Sequence, residues 1–188
     1  MRLIAIALLA FVTACGEVSM TETPVSQPAP TVQQVETFGP LANLVGKSFR
    51  GAPADGSTEP NPDTQTWEWA LGGTAILIKH ALANGAYGGD TYVYKDAKTG
   101  DLAYVYITNA GFRTEGVMFV NDDGSYTAEE AVEGHPSITK VRSTSVLNDD
   151  GTSVVTSEYL DNGEWKAGHA FIYSPTNETL PQLKAPAN

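Results

Sequence analysis

TWEWALGGTAILIKHA, residues 66–81, sets two alternating runs on either side of a Gly-Gly step. In extended backbone, successive side chains point to opposite faces. Trp67, Trp69 and Leu71 therefore share one face, with Thr66, Glu68 and Ala70 on the other. Beyond the glycines, Ile76, Ile78, His80 and Leu82 share a face opposite Ala75, Leu77, Lys79 and Ala81. Two period-two runs joined by residues that tolerate positive φ read as a β-hairpin, and indoles two positions apart are material for an interior.

The same punctuation continues outward. Asn84-Gly85, Gly88-Gly89, Thr99-Gly100-Asp101, Asn121-Asp122-Asp123-Gly124, Gly134-His135-Pro136, Asn148-Asp149-Asp150-Gly151 and Asp161-Asn162-Gly163 are all turn formers. Between them lie runs rich in Val, Ile, Thr, Tyr and Trp at 47–51, 65–71, 75–83, 91–95, 102–109, 112–121, 126–132, 138–147, 153–160 and 165–173. This is an all-β chain of about ten strands in an antiparallel up-and-down meander. A meander must seal its edges, and closure into a barrel does so. Lys140, Arg142, Thr144, Glu158 and Lys166 fall on the expected outer face, which is not the apolar band of a membrane-spanning barrel. Residues 39–46, GPLANLVG, predict a short helical turn at the N-terminal side.

The ends differ in composition. Arg2 precedes an apolar run over residues 3–14 and then the single cysteine, Cys15. The run is shorter than the about 20 residues a spanning helix needs, so residues 1–14 read as a signal peptide. Val12-Thr13-Ala14-Cys15 resembles the bacterial lipobox, which implies cleavage before Cys15 and acyl chains on it that anchor the protein in a membrane. Gly16, by the same resemblance, implies the outer membrane, facing the periplasm of a bacterial cell envelope. Residues 15–38 contain three prolines and neither periodicity, and read as a lipidated tether with a span of roughly 25–30 Å. The barrel then occupies 39–177, and 178–188 forms a loose tail. The chain carries 11 basic against 22 acidic residues, a net charge of −11 that opposes binding to nucleic acid.

Leu41, Leu44 and Gly46, followed by Trp67-Glu68 and Leu71-Gly72-Gly73, resemble the opening of uncharacterised bacterial families with a lipocalin-like, calycin-type barrel. The departures are Ser48 at a position where an aromatic is expected, with Phe49 one residue later, and Thr74 where a basic residue is common. The resemblance implies a lipocalin-like barrel and names no ligand.

Barrels of this strand number are either filled by side chains or hold one small ligand. The candidate wall comprises Trp67, Trp69, Ile78, His80, Tyr104, Tyr106, Arg113, Trp165, His169, Phe171 and Tyr173. They serve equally as packed core, and residue type leaves both readings open. Trp165, Ala167, His169, Phe171 and Tyr173 alternate onto one face of the last run, so His169 lies among aromatics. Some lipocalin-like barrels carry haem on a single C-terminal histidine, which makes haem through His169 or His80 the cofactor alternative. Arg113 with Glu115 could orient a ligand carboxylate or pair at the surface. His135 reads as a turn residue.

Other chemistry is excluded by spacing. The glycines before Lys47-Ser48 stand seven apart, not the five of a phosphate loop. The Asn-Asp-Asp-Gly turns lack a calcium loop's alternate carboxylates. No G-x-S-x-G elbow or paired-histidine zinc motif occurs. The expected activity is therefore binding of a small, mostly apolar ligand, with a filled interaction lipoprotein or a haem or enzymatic barrel as alternatives.

Overall fold

The computed structural model describes residues 27–111, 113–132 and 137–185. Residues 1–14, Cys15, the first part of the tether and His135 lie outside these. Ten strands follow one short helix: β1 Ser48–Pro53, β2 Asp63–Ala70, β3 Ala75–Leu82, β4 Gly88–Lys95, β5 Leu102–Thr108, β6 Arg113–Val120, β7 Tyr126–Ala131, β8 Ile138–Leu147, β9 Ser153–Asp161 and β10 Glu164–Thr176. Each pairs antiparallel with its sequence neighbours, and β1 pairs with β10, so the sheet is a closed barrel without a free edge. The all-β meander expected from the turn spacing is the observed architecture.

The turns form for the reasons their residues suggest. In 121–124 and 148–151, Gly124 and Gly151 take φ of 81° and 83°, which a side chain would oppose. Asp123 Oδ1 accepts the Ser125 amide at 2.9 Å and its hydroxyl at 2.6 Å; Asp150 repeats both bonds with Thr152. These bonds hold both carboxyls below their ordinary range. The Gly-Gly step is tighter still. Leu71, Gly72 and Gly73 all have positive φ, which turns Leu71 away from the face of Trp67 and Trp69 and leaves it 74 % exposed.

One end of the barrel is plugged from the N-terminal side. Helix α1, Val32–Phe38, begins inside the stretch expected to be tether. Its signal is a capping box: Thr31 accepts the Gln34 amide, and the Gln34 side chain accepts the Thr31 amide. Gln34 Nε2 also donates to the Gly73 carbonyl at 3.1 Å, fastening α1 to the β2–β3 turn. Phe38 is 1 % exposed and packs tilted against Trp69 with ring centroids 5.7 Å apart. A 3₁₀ segment, Gly39–Leu44, drops Leu41 and Leu44 into the same core beside Phe49, Ile76 and Val93. The folded unit thus starts before Gly39.

The C-terminal stretch is also held. The Lys184 amide donates to the Gly85 carbonyl at 2.8 Å, and Asn109 Nδ2 donates to the Lys184 carbonyl at 3.4 Å. These bonds tie it across the β3–β4 turn.

Candidate functional site: an aromatic cavity in the barrel

Above the plug the barrel is hollow, with a cavity of about 590 Å³. Trp67, Ile78, His80, Tyr104, Tyr106, His169, Phe171 and Tyr173 line it, as alternation on their strands suggests. Three other expected wall residues are elsewhere. Trp69 shares the inward face of Trp67 but sits against Phe38 in the plug, below the cavity. Arg113 points outward, because Thr114 and Met118 take the inner face of β6, and it pairs with exposed Glu115 at 3.1 Å.

Trp165 is turned out by a bulge. Ala167 pairs with Glu158 but Ala170 pairs with Thr156, so β10 carries one extra residue at 168–169. The extra residue reverses the parity of the strand. His169, Phe171 and Tyr173 face in while Trp165 faces out, under the Arg142 guanidinium at 4.1 Å. Lys166 falls on the face of Tyr159 and bonds Asp161 at 2.6 Å, not on the outer face expected for it. Ser157 stabilises the bulge by accepting the His169 amide at 3.0 Å and donating to the His169 carbonyl at 3.1 Å. A Cβ at Gly168 would stand 2.5 Å from the Tyr159 ring and 2.6 Å from Ser157 Oγ, so a side chain there would have to displace both.

Three inward tyrosines are placed by one repeated device. Tyr104 on β5 lies over Gly116 on β6, where a Cβ would stand 2.7 Å from its ring, and its hydroxyl reaches Glu130 on β7 at 3.0 Å. Tyr173 on β10 lies over Gly51 on β1, with a Cβ position 2.8 Å from its ring, and donates to Asp63 on β2 at 3.0 Å. Tyr106 on β5 lies over Gly89 on β4, again at 2.8 Å, and meets His80 Nε2 on β3 at 2.7 Å. Absence of a side chain on the middle strand lets each ring cross it.

Two polar clusters result. Asp63 Oδ1 sits 2.9 Å from His80 Nδ1, so that nitrogen carries a proton and donates to the carboxylate. Nε2 lies 2.7 Å from the Tyr106 hydroxyl, whose oxygen lies 2.7 Å from that of Tyr87. The relay leaves His80 with both ring nitrogens engaged. In the second cluster, Glu130 Oε2 accepts from Tyr104 and from Thr114, the latter at 2.6 Å. Burial, then the nearby carboxylate charges, pushes the Tyr104 and Tyr173 hydroxyls well above the ordinary phenol range; burial and the bond to Tyr87 do the same for Tyr106. All three remain protonated donors at neutral pH. His169 is at the rim, its Nδ1 3.0 Å from the Tyr159 hydroxyl, and burial lowers its pKa.

Asp63, Tyr87, Met118, Tyr126 and Glu130 are wall residues that the strand runs did not single out. For Asp63 and Glu130 the signal was the inward glycines Gly51 and Gly116, each marking a ring that crosses to the carboxylate beyond it. For haem, the donors among the described histidines reduce to His169 Nε2, since His80 is committed on both sides. Among the described residues no cluster of three His, Cys, Asp or Glu side chains is arranged to hold a metal ion.

The fold and cavity together define a closed ten-stranded antiparallel barrel, compatible with a lipocalin-like fold, whose interior can accept a small ligand. Comparison with protein-family models and with curated proteins gives no match that would narrow this further.

Proposed function

We propose that the protein is a binding module: a barrel that holds one small, mostly apolar molecule, tethered to the bacterial cell envelope by acyl chains on Cys15. The observation that carries the binding reading is the cavity itself. Its volume of about 590 Å³ lies in the range of small-molecule sites, and its wall joins aromatic rings to a few polar groups already bonded to one another. Most of these polar groups bond one another, so apolar contact supplies most of the affinity. The lipobox resemblance at residues 12–15 supports the anchor, with the barrel facing the periplasm.

Native mass spectrometry of protein extracted from its own membranes tests the reading. A retained small molecule, or stoichiometric uptake from a lipid extract, supports it. Bare protein that takes up nothing overturns it in favour of a structural lipoprotein. The haem alternative rests on His169 alone and is read in the same sample: a Soret band that is lost in His169→Ala would establish it.

A further inference from the structure

Within that binding reading, we infer that the cavity selects a ligand bearing a positively charged amine on an apolar or aromatic body, and that Glu130 is the residue that recognises the charge. The inference rests on what faces the cavity. Three carboxylates do so, Glu59, Asp63 and Glu130, and among the described lining residues none is Lys or Arg. Asp63 is matched by the His80 imidazole and the Tyr173 hydroxyl. Glu130 is not matched in the same way. Its bonds come from two neutral hydroxyls, Tyr104 and Thr114, and both end on Oε2. Oε1 has no hydrogen bond among the described residues, and no cation pairs with the side chain, whereas Glu129 beside it pairs outside the barrel with Lys140 at 2.8 Å.

A half-buried carboxylate with one uncommitted oxygen attracts a cation, and the low local dielectric strengthens that attraction while penalising an anion. The surrounding rings act in the same direction. Trp67, Tyr104, Tyr126 and Phe171 present π-systems to the cavity, and aromatic faces attract ammonium groups. A fatty carboxylate, the other common occupant of an apolar barrel, would meet like charge and find no Lys or Arg among the described lining residues. The hydroxyls of Tyr87, Tyr104 and Tyr106 all feel the Glu130 charge, which places it among the cavity groups and not at the outer surface.

The test uses three probes that share a naphthalene body: 2-(aminomethyl)naphthalene, 2-(hydroxymethyl)naphthalene and 2-naphthoate, titrated into the full chain by calorimetry. The amine is expected to bind about tenfold more tightly than the alcohol, and the carboxylate more weakly than the alcohol. Glu130→Gln, which keeps an oxygen for Tyr104 and Thr114, brings the amine-to-alcohol ratio close to one; Glu129→Gln on the outer face leaves the ratio unchanged. Naphthoate binding as tightly as the alcohol, or an amine preference that survives in E130Q, overturns the inference. Alcohol binding without any head-group preference overturns it while sparing the binding module, and binding of none of the three overturns both.

Discussion

Tyr104 and Glu130 meet at 3.0 Å across a whole intervening strand, because Gly116 between them leaves the ring room to lie flat. Gly116→Ala would drive a methyl into that ring and into the Glu129 carbonyl. It is expected to cost about 1–3 kcal/mol, the usual penalty for overpacking. Urea denaturation measures the loss. If stability holds within a few tenths of that unit, the ring does not depend on the glycine.

The plug gives a second prediction. Phe38→Ala removes a fully buried ring from the contact with Trp69, and should destabilise the barrel by about 3–5 kcal/mol. A chain beginning at Gly39 should show a comparable drop in Tm. An unchanged Tm in both would mean that α1 is an ornament on a barrel that closes without it.

Alkali should unfold the protein in a defined window. The Tyr104, Tyr106 and Tyr173 hydroxyls have their folded pKa raised, so the stability they contribute is complete below the unfolded value near 10.0 and is lost as pH rises above it. Ultraviolet difference titration should show these phenols ionising together with loss of the β-sheet circular dichroism. Stepwise ionisation of a barrel that stays folded would contradict this. At the acid side, His169 has its folded pKa lowered, so its contribution is present above the unfolded value of 6.5 and declines as pH falls below it.

Ser157→Ala removes both bonds that pin the bulge. The expected cost is about 1–3 kcal/mol, and the parity of β10 is at stake with it. The fluorescence of Trp165, now stacked beneath Arg142, reports that parity directly. An emission spectrum identical to the parent's would show that Gly168 alone sets the bulge.

Anchoring is tested separately from binding. Cys15→Ser should release the protein to the soluble fraction and abolish incorporation of radiolabelled palmitate, while a parent chain that incorporates none would end the lipoprotein proposal.

The architecture was readable because its determinants are local. Turn residues such as Asn121 to Gly124 specify their own hairpins, and alternation between turns fixes the inward face, so Trp67, Ile78, His80, Tyr104 and Tyr106 fell where expected. What was hidden depends on contacts between distant residues. The reversal at Gly168 requires Ser157 from the neighbouring strand, and the single extra residue leaves the alternation of Trp165 to Tyr173 looking unbroken. Trp69 alternates correctly yet lies in the plug, because α1 was masked by the prolines around it; Thr31 and Gln34 were the clue. Glu130 gave no sign of facing inward until the rings that cross the glycines were in place.

The seam between β1 and β10 joins Ser48 to Thr176, the first strand to the last. A nascent polypeptide leaving the ribosome therefore has no completed cylinder to offer until its final strand has emerged. Under the lipoprotein proposal such late sealing would keep the chain extended for export, and any truncation that removes β10 should yield an aggregating sheet with two open edges instead of a smaller working barrel.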